Sequence, residues 1–171
     1  NKSCGASFLI KRGLYSDPNL ELKGRPQIEN ARNAVMLGDT LRYDFGFGLS
    51  ADDVVDGLEN ARHPGRIEFH EQYLFDGAHN IGGAKALGEF LDEFVDKTIT
   101  MIFGAMKDKE VAAVLEILSP KSDRLILTKP ENERALSEEQ IIEFVPDNYD
   151  RNGIYLTGTV AEAIEKANDR I

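Results

Sequence analysis

Apolar residues in the first third of the chain fall in short runs and then at helical spacing. The runs at residues 7–10 and 20–22 predict two strands, because turn-forming residues separate them at 15–19. From 27 to 41 the apolar positions Ile28, Ala31, Val35 and Leu41 can line one face. This spacing predicts a helix, and Pro26 suits its first turn.

A second helix is predicted to begin after Ser50, whose hydroxyl suits the N-cap position, and to run through Leu58 and Ala61. The sequence His63-Pro64-Gly65 then breaks the helical pattern. We therefore predict a domain boundary at Pro64, with residues 1–63 and 64–171 in different domains.

Beyond this boundary the pattern changes to strands that alternate with helices. Apolar strands are predicted at 73–75, 98–103, 124–128 and 154–157, and helices at 81–95, at 109–118, after Ser137 and after Thr159. The last two helices begin with capping-box sequences. Such alternation is typical of an α/β fold, and we predict a Rossmann-like, mostly parallel sheet with helices on both faces.

Composition and net charge exclude some classes of function for this chain. The chain is 42% hydrophobic and 29% charged, which indicates a globular protein, and its formal net charge is -10. Such an acidic chain is a poor match for nucleic acid or an anionic membrane, because phosphate contacts need clustered Lys and Arg. Cys4 is the only cysteine, so a reducing compartment such as the cytoplasm is predicted. No apolar run approaches the roughly 20 residues that span a bilayer.

The turn after the strand at 73–75 carries the strongest candidate chemistry. Ligands of open α/β sheets bind at the carboxyl ends of strands, where Asp76 and His79 lie. Asn80 is a predicted cap for the next helix, whose first amides, at residues 81–83, could bind an anion. On spacing alone, an ordinary capping turn explains these residues equally well.

Four segments of the chain form a recognisable series. They are Gly24-Arg25-Pro26-Gln27-Ile28-Glu29-Asn30, Pro64-Gly65-Arg66, Asp76-Gly77-Ala78-His79-Asn80 and a Gly and Lys-Asp segment at 104–109. In this order and spacing they resemble the folylpolyglutamate synthase/dihydrofolate synthase family, within the Mur ligase superfamily, which shows a G-x-H-Q-x-x-N segment, a P-G-R linker, a D-x-A-H-N-P turn and a similar Gly and Lys-Asp segment. Pro26 and Ile81 depart from the family pattern, which has His and Pro there.

The resemblance implies a C-terminal portion of such an enzyme. Residues 1–63 would be the tail of the central ATP-binding domain, and 64–171 the Rossmann-like ligase domain, lacking its last strand. The cofactors implied are ATP and Mg²⁺, with the P-loop and the metal ligands upstream of Asn1. No metal ligand is predicted in the chain itself, since the spacing of His63, His70 and His79 matches no zinc pattern.

The resemblance also implies roles for individual residues. Asn30 offers a donor and an acceptor to adenine or another part of ATP, and Arg66 can present its planar fork to phosphate oxygens. Asp76 can accept hydrogen bonds from the ribose hydroxyls. His79 is a candidate catalytic residue that positions glutamate or the nucleotide, or else orients the Asp76 loop. Lys107 and Lys109 either reach phosphate or are ordinary surface lysines.

The implied reaction joins L-glutamate to a folate or dihydropteroate carboxylate through an acyl phosphate. The preceding central domain would be the main protein partner, and the isolated chain is predicted to be inactive. Two alternatives stay open: a Mur-type cell-wall precursor ligase and a non-catalytic nucleotide-binding module. Gly77 favours the folate enzymes over the cell-wall ligases, whose turn usually carries an aromatic or polar residue there.

Overall fold

A computed structural model of the protein describes residues 8–10, 13–15, 20, 24–107 and 110–169. The chain divides into a first unit, Asn1–Gly77, and a second unit, Ala78–Ile171. Each unit has its own hydrophobic core. Cys4 and Lys109 lie outside the described residues. Among the helices that are described, none is both long and apolar enough to cross a bilayer.

The first hairpin differs from the predicted strands. Strand β1, Phe8–Ile10, lies within the run predicted at 7–10, but it pairs antiparallel with β2, Gly13–Tyr15, where no strand was predicted. Leu20 lies outside any strand and is 3% exposed, and it packs with Ala31 and Val35. Its apolar character therefore reflects burial in the core of the first unit, and the remainder of the predicted strand lies outside the described residues.

Two helices form the core of the first unit. Helix α1 spans Arg25–Tyr43 and helix α2 spans Ala51–Glu59, close to the predicted bounds. A Cβ added at Gly38 would lie 2.9 Å from Cγ2 of Val54, so this glycine lets the two helices approach closely. The predicted cap is confirmed, because the Ser50 hydroxyl accepts a hydrogen bond from the Asp53 amide and Asp53 completes a capping box.

The capping box makes α2 sensitive to acid. Hydrogen bonds from the side chain and the backbone amide of Ser50 lower the pKa of Asp53. A lowered pKa means that the carboxylate stabilises the folded state above its unfolded pKa, about 3.9, and that this contribution is lost as pH falls through the folded pKa. We expect α2 to fray below about pH 4, measured by amide exchange. Asp53→Asn should remove this acid-dependent change, whereas Asp52→Asn in the same turn should keep it.

A second hairpin ends the first unit and corrects the prediction for residues 73–75. Strand β4, Tyr73–Phe75, pairs antiparallel with β3, Glu68–His70, and does not join the parallel sheet. Only two residues connect β3 to β4, and so short a connection permits antiparallel pairing alone. Glu71 in that turn has a φ of 54°, in the left-handed region.

The second unit contains the predicted parallel sheet. Strands β5 (Thr100–Phe103), β6 (Arg124–Thr128) and β7 (Ile154–Thr157) lie in the order β5-β6-β7. The helices are α3, Ile81–Phe94, α4, Val111–Leu118, α5, Glu138–Ile141, and α6, Val160–Asn168. Both predicted capping boxes, at Ser137 and Thr159, are present. Local sequence signals therefore located these elements correctly.

Helices cover both faces of this sheet. On one face Leu125 and Leu127 pack with Leu115 of α4 and Ile141 of α5. On the other face the Arg124 guanidinium donates a hydrogen bond to the carbonyl of Lys166 in α6, at 3.2 Å. Because adjacent strand residues point to opposite faces, α4 and α6 lie on opposite sides of β6. The predicted fold class, α/β with helices on both faces of a parallel sheet, is confirmed.

Candidate functional site

The end of the second hairpin is tied to the segment that precedes it. The Asp76 carboxylate, directly after β4, accepts a hydrogen bond from the Ile67 amide at 2.9 Å. One residue further on, the Gly77 amide donates to the carbonyl of Gly65 at 2.7 Å. These two bonds hold the turn that contains Arg66 against the end of β4, so the structure brings the Asp76 carboxylate to the backbone beside Arg66.

Arg66 itself is presented to solvent. Its backbone amide donates to the carbonyl of His63 at 3.2 Å, which closes the turn. Its side chain is exposed, and within the described part of the chain its guanidinium has no hydrogen-bond or ion-pair partner. The backbone of Arg66 is therefore held in place while its planar guanidinium is unpaired. Such a side chain is suited to bind an anion bidentately.

The backbone of this turn has an uncommon conformation. Gly65 has a φ of 69°, and Ile67 has a φ of 46°, which is unusual for a β-branched residue. Glycine adopts such a φ freely, but for a residue such as Ile67 this conformation costs about 1–3 kcal/mol and persists only when the surroundings enforce it. The Ile67 side chain is 7% exposed, so its burial and the bond to Asp76 together hold this shape.

Asn30 lies on α1, away from the hairpin in sequence. Its Nδ2 donates to Oε1 of Gln27 at 3.0 Å, and Gln27 is 5% exposed. The described hydrogen bond of Asn30 thus lies within its own helix, while its side chain stays exposed. Burial of Gln27 was not predicted, although its polar side chain does interrupt the apolar face of the helix.

In the second unit, Asn80 caps α3 as predicted. Its Oδ1 accepts a hydrogen bond from the Gly83 amide at 2.8 Å. The prediction that the amides of residues 81–83 could bind an anion is therefore wrong for Gly83, whose amide is already bonded. A Cβ at Gly83 would lie 3.3 Å from Cα of Ala78, so the loop itself explains this glycine. His79 is exposed in the same turn.

The loops after β5 and β6, at the carboxyl end of the parallel sheet, are hydrogen-bonded to each other. The Lys107 amide donates to the carbonyl of Arg134, and the Leu136 amide donates to the carbonyl of Ala105, both at 2.9 Å. This pairing of the loops after β5 and β6 was not predicted, because no sequence signal links segments so far apart. Lys107 is exposed at this edge.

Gly104 allows these loops to approach, and an alanine there should destabilise the second unit. A Cβ would lie 2.8 Å from Cγ of Pro130 and 2.9 Å from the carbonyl oxygen of Thr128. We expect Gly104→Ala to lower the free energy of unfolding by about 1–3 kcal/mol, measured by denaturant titration. Gly82→Ala is the matched control, since its nearest neighbour, Asn80 Oδ1, is 3.5 Å away. Equal stability of the two variants would contradict this explanation of Gly104.

The described residues contain no group of three or more His, Cys, Asp or Glu side chains that could hold a metal ion. His63 and His70 are exposed, and Nδ1 of His63 lies 3.2 Å from the carbonyl oxygen of Pro64. Of the residues predicted for the site, the structure brings Asp76 to the backbone beside Arg66, while Asn30 bonds within its own helix and His79 is exposed in the turn before α3.

A family model described as the glutamate ligase domain of Mur ligases matches residues 65–171. The chain belongs to the Mur ligase family. The match to the Mur ligase domain begins at Gly65 and includes Arg66, Asp76 and His79. The family that the motifs resembled is thereby confirmed at the level of this domain.

Among Mur ligase relatives, the dihydrofolate synthase/folylpolyglutamate synthase of Mycobacterium tuberculosis is 29% identical over 167 residues, covering 93% of this chain and 34% of that protein. A solved structure of Mycobacterium tuberculosis folylpolyglutamate synthase complexed with ADP matches with a TM-score of 0.82 at 28% identity, covering 93% of this chain and 36% of the other. The chain thus spans about a third of the length of these relatives.

Two further relatives bear on the reaction. A bifunctional folylpolyglutamate synthase/dihydrofolate synthase, solved with Mn, AMPPNP and L-glutamate bound, matches at 25% identity with a TM-score of 0.73, covering 95% of this chain and 38% of the other. The UDP-N-acetylmuramyl-tripeptide synthetase of Latilactobacillus sakei is 30% identical over 131 residues, covering 70% of this chain and 24% of that protein. The relatives therefore include both folylpolyglutamate synthase/dihydrofolate synthases and a UDP-N-acetylmuramyl-tripeptide synthetase.

Proposed function

We propose that the chain is the C-terminal part of an ATP-dependent amide ligase that adds L-glutamate to a folate or dihydropteroate carboxylate. The observation that carries this proposal is the turn at 65–67, where the Asp76 carboxylate fixes the backbone beside an exposed, unpaired Arg66. The relatives solved with ADP, or with AMPPNP, Mn and L-glutamate, support a nucleotide, a divalent metal and glutamate as ligands of the parent enzyme.

In this proposal the nucleotide contacts three residues of the first unit. The Arg66 guanidinium binds phosphate oxygens, and the Asp76 carboxylate accepts hydrogen bonds from the ribose hydroxyls. Asn30 contacts adenine or another part of ATP. His79, exposed directly before the N-cap residue of α3, positions the glutamate or the nucleotide. The domain boundary at Pro64 belongs to the same proposal.

The chemistry follows from these ligands. A carboxylate oxygen of the folate attacks the γ-phosphorus of ATP, which gives an acyl phosphate and ADP. The glutamate amine then attacks the carbonyl carbon, the bond to the phosphate oxygen breaks, and the nitrogen loses a proton as the amide forms. Mg²⁺, which we place on ligands in the preceding domain, neutralises phosphate charge when bound. The residues of this chain contribute positioning and positive charge, which are the main requirements of phosphoryl transfer.

An assay of the full-length parent tests the proposal. We expect L-glutamate to be joined to dihydropteroate or to a reduced folate only when ATP and Mg²⁺ are present, with one ADP formed for each glutamate added. Glutamate ligation should fail when a UDP-linked muramyl peptide replaces the folate acceptor. Ligation to the muramyl acceptor alone would contradict the folate proposal, and ATP binding without any ligation would indicate a non-catalytic nucleotide-binding module.

A cell-wall precursor ligase is the second candidate, because a UDP-N-acetylmuramyl-tripeptide synthetase is among the relatives. Gly77 opposes it, since the corresponding turn of the cell-wall enzymes usually has an aromatic or polar residue. The Gly77 amide donates to Gly65, and a Cβ at this position would lie 3.5 Å from the same carbonyl oxygen. A side chain fits at that distance, so the assay and not the geometry distinguishes the two candidates.

The isolated chain should bind ATP weakly. Two or three hydrogen bonds to charged groups contribute about 1.5–3 kcal/mol each. These barely offset an association cost of about 4 kcal/mol or more. We expect a Kd of about 1 mM or weaker by calorimetry, and no ligase activity. Micromolar affinity for ATP in this chain would contradict a site that is completed by the preceding domain.

A further inference from the structure

A second carboxylate holds the turn that carries Arg66. Oε2 of Glu68, the first residue of β3, accepts a hydrogen bond from the Gly65 amide at 2.8 Å. Together with the Ile67 bond to Asp76, this ties the backbone amide on each side of Arg66 in sequence to a carboxylate. The same short turn is therefore bound by two acids of the second hairpin, one at the start of β3 and one directly after β4.

We propose that Glu68 is a positioning residue for Arg66. This inference rests on the proposed function, in which Arg66 binds the phosphates of ATP. Gly65 has a φ of 69° and, lacking a Cβ, could adopt other conformations at little cost. The bond from its amide to Glu68 selects one of them and so sets the direction in which Arg66 leaves the turn. Bidentate binding of phosphate depends on that direction.

The surroundings of Glu68 favour positioning over a contribution to the core. Its side chain is exposed, and the hydrogen bond to Gly65 is also exposed to solvent. Removing an exposed side chain buries no new polar group and opens no cavity, so global stability should change little. The loss should instead appear where alignment matters, in the affinity of the full-length enzyme for ATP.

Three variants separate these possibilities. Glu68→Ala removes the acceptor for the Gly65 amide, whereas Glu68→Gln keeps an oxygen in its place. Glu71→Asn is the matched control, because it removes a carboxylate from the same hairpin and Asn tolerates the left-handed conformation that Glu71 adopts. In the full-length parent, we expect Glu68→Ala to raise the KM for ATP about five- to tenfold with kcat changed less than about twofold. Glu68→Gln and Glu71→Asn should both stay within about twofold of the wild type.

A double-mutant cycle with Arg66→Ala shows whether Glu68 acts through Arg66. We expect Glu68→Ala to raise the KM for ATP by less than about twofold when Arg66 is already absent. An undiminished effect in that background would overturn the inference, as would a KM unchanged by Glu68→Ala in the wild-type background. A KM unchanged by Arg66→Ala alone would overturn the proposed role of Arg66 and, with it, the role of Glu68.

Amide exchange on this chain gives a readout that does not depend on activity. We expect the Gly65 amide to exchange faster in Glu68→Ala than in the wild type, and at the wild-type rate in Glu68→Gln. The melting temperatures of the three proteins should agree. Faster exchange at Gly65 accompanied by general loss of protection across the first unit would mean that Glu68 stabilises the unit as a whole, which would overturn the specific role.

Discussion

Replacing Arg66 with Ala in the full-length enzyme is expected to raise the KM for ATP about 100-fold. A bidentate guanidinium makes two hydrogen bonds to phosphate, each contributing about 1.5 kcal/mol. Their combined loss of about 3 kcal/mol corresponds to roughly two orders of magnitude in affinity. The variant should fold normally, because the Arg66 side chain is exposed and only its backbone amide helps to close the turn.

Two further substitutions test whether the effect is specific to the planar guanidinium of Arg66. Arg66→Lys keeps the charge but loses the planar fork, so its KM for ATP should lie between those of Ala and the wild type, about tenfold raised. Arg62→Ala removes an exposed arginine four residues earlier and should leave the KM unchanged. Similar effects of Arg62→Ala and Arg66→Ala would mean that general positive charge, and not a specific site, attracts the nucleotide.

Replacing Asp76 with Ala is expected to have a comparable effect for two separate reasons. The substitution removes the proposed acceptor for the ribose hydroxyls, and it also removes the partner of the Ile67 amide. Without this hydrogen bond, Ile67 is less constrained to its left-handed φ of 46°. We expect the turn to relax and the neighbouring Arg66 to move with it. We expect the KM for ATP to rise by about 100-fold, measured by steady-state kinetics of the full-length enzyme.

Asp76→Asn distinguishes the two contributions. The amide oxygen of Asn can still accept the bond from Ile67, while the negative charge that favours ribose hydroxyls is lost. We expect exchange of the Ile67 amide to stay slow in Asp76→Asn and to become fast in Asp76→Ala, with an intermediate KM for the Asn variant. If neither substitution changes the kinetics, Asp76 has no part in the site.

Much of the second unit could be predicted because its signals are local. Ser137 and Thr159 identify helix starts through residues three positions away, and β6 has an apolar centre, Leu125–Leu127, within five residues that are all buried. The cap at Asn80 and the position of Asp76 directly after a strand could be predicted for the same reason, whereas the role of Asp76 toward ATP stays a prediction. Here the sequence pattern and the folded contacts depend on the same few neighbouring residues.

The remaining features depend on pairing between segments, which periodicity does not encode. The sequence predicts that residues 73–75 form a strand of the parallel sheet. They instead pair with β3, because only two residues separate β3 from β4. The bonds from Ile67 to Asp76 and from Gly65 to Glu68 likewise follow from the hairpin that brings these residues together. The sequence alone therefore does not indicate the positioning role that we propose for Glu68 toward Arg66.

The structure of the full-length enzyme with ADP bound tests the central claim most directly. We predict that the Arg66 guanidinium lies within hydrogen-bonding distance of a phosphate oxygen and that the Asp76 carboxylate contacts the ribose, with the bonds of the turn at 65–67 retained. ADP held by other residues, with Arg66 and Asp76 both out of contact with it, would contradict the claim.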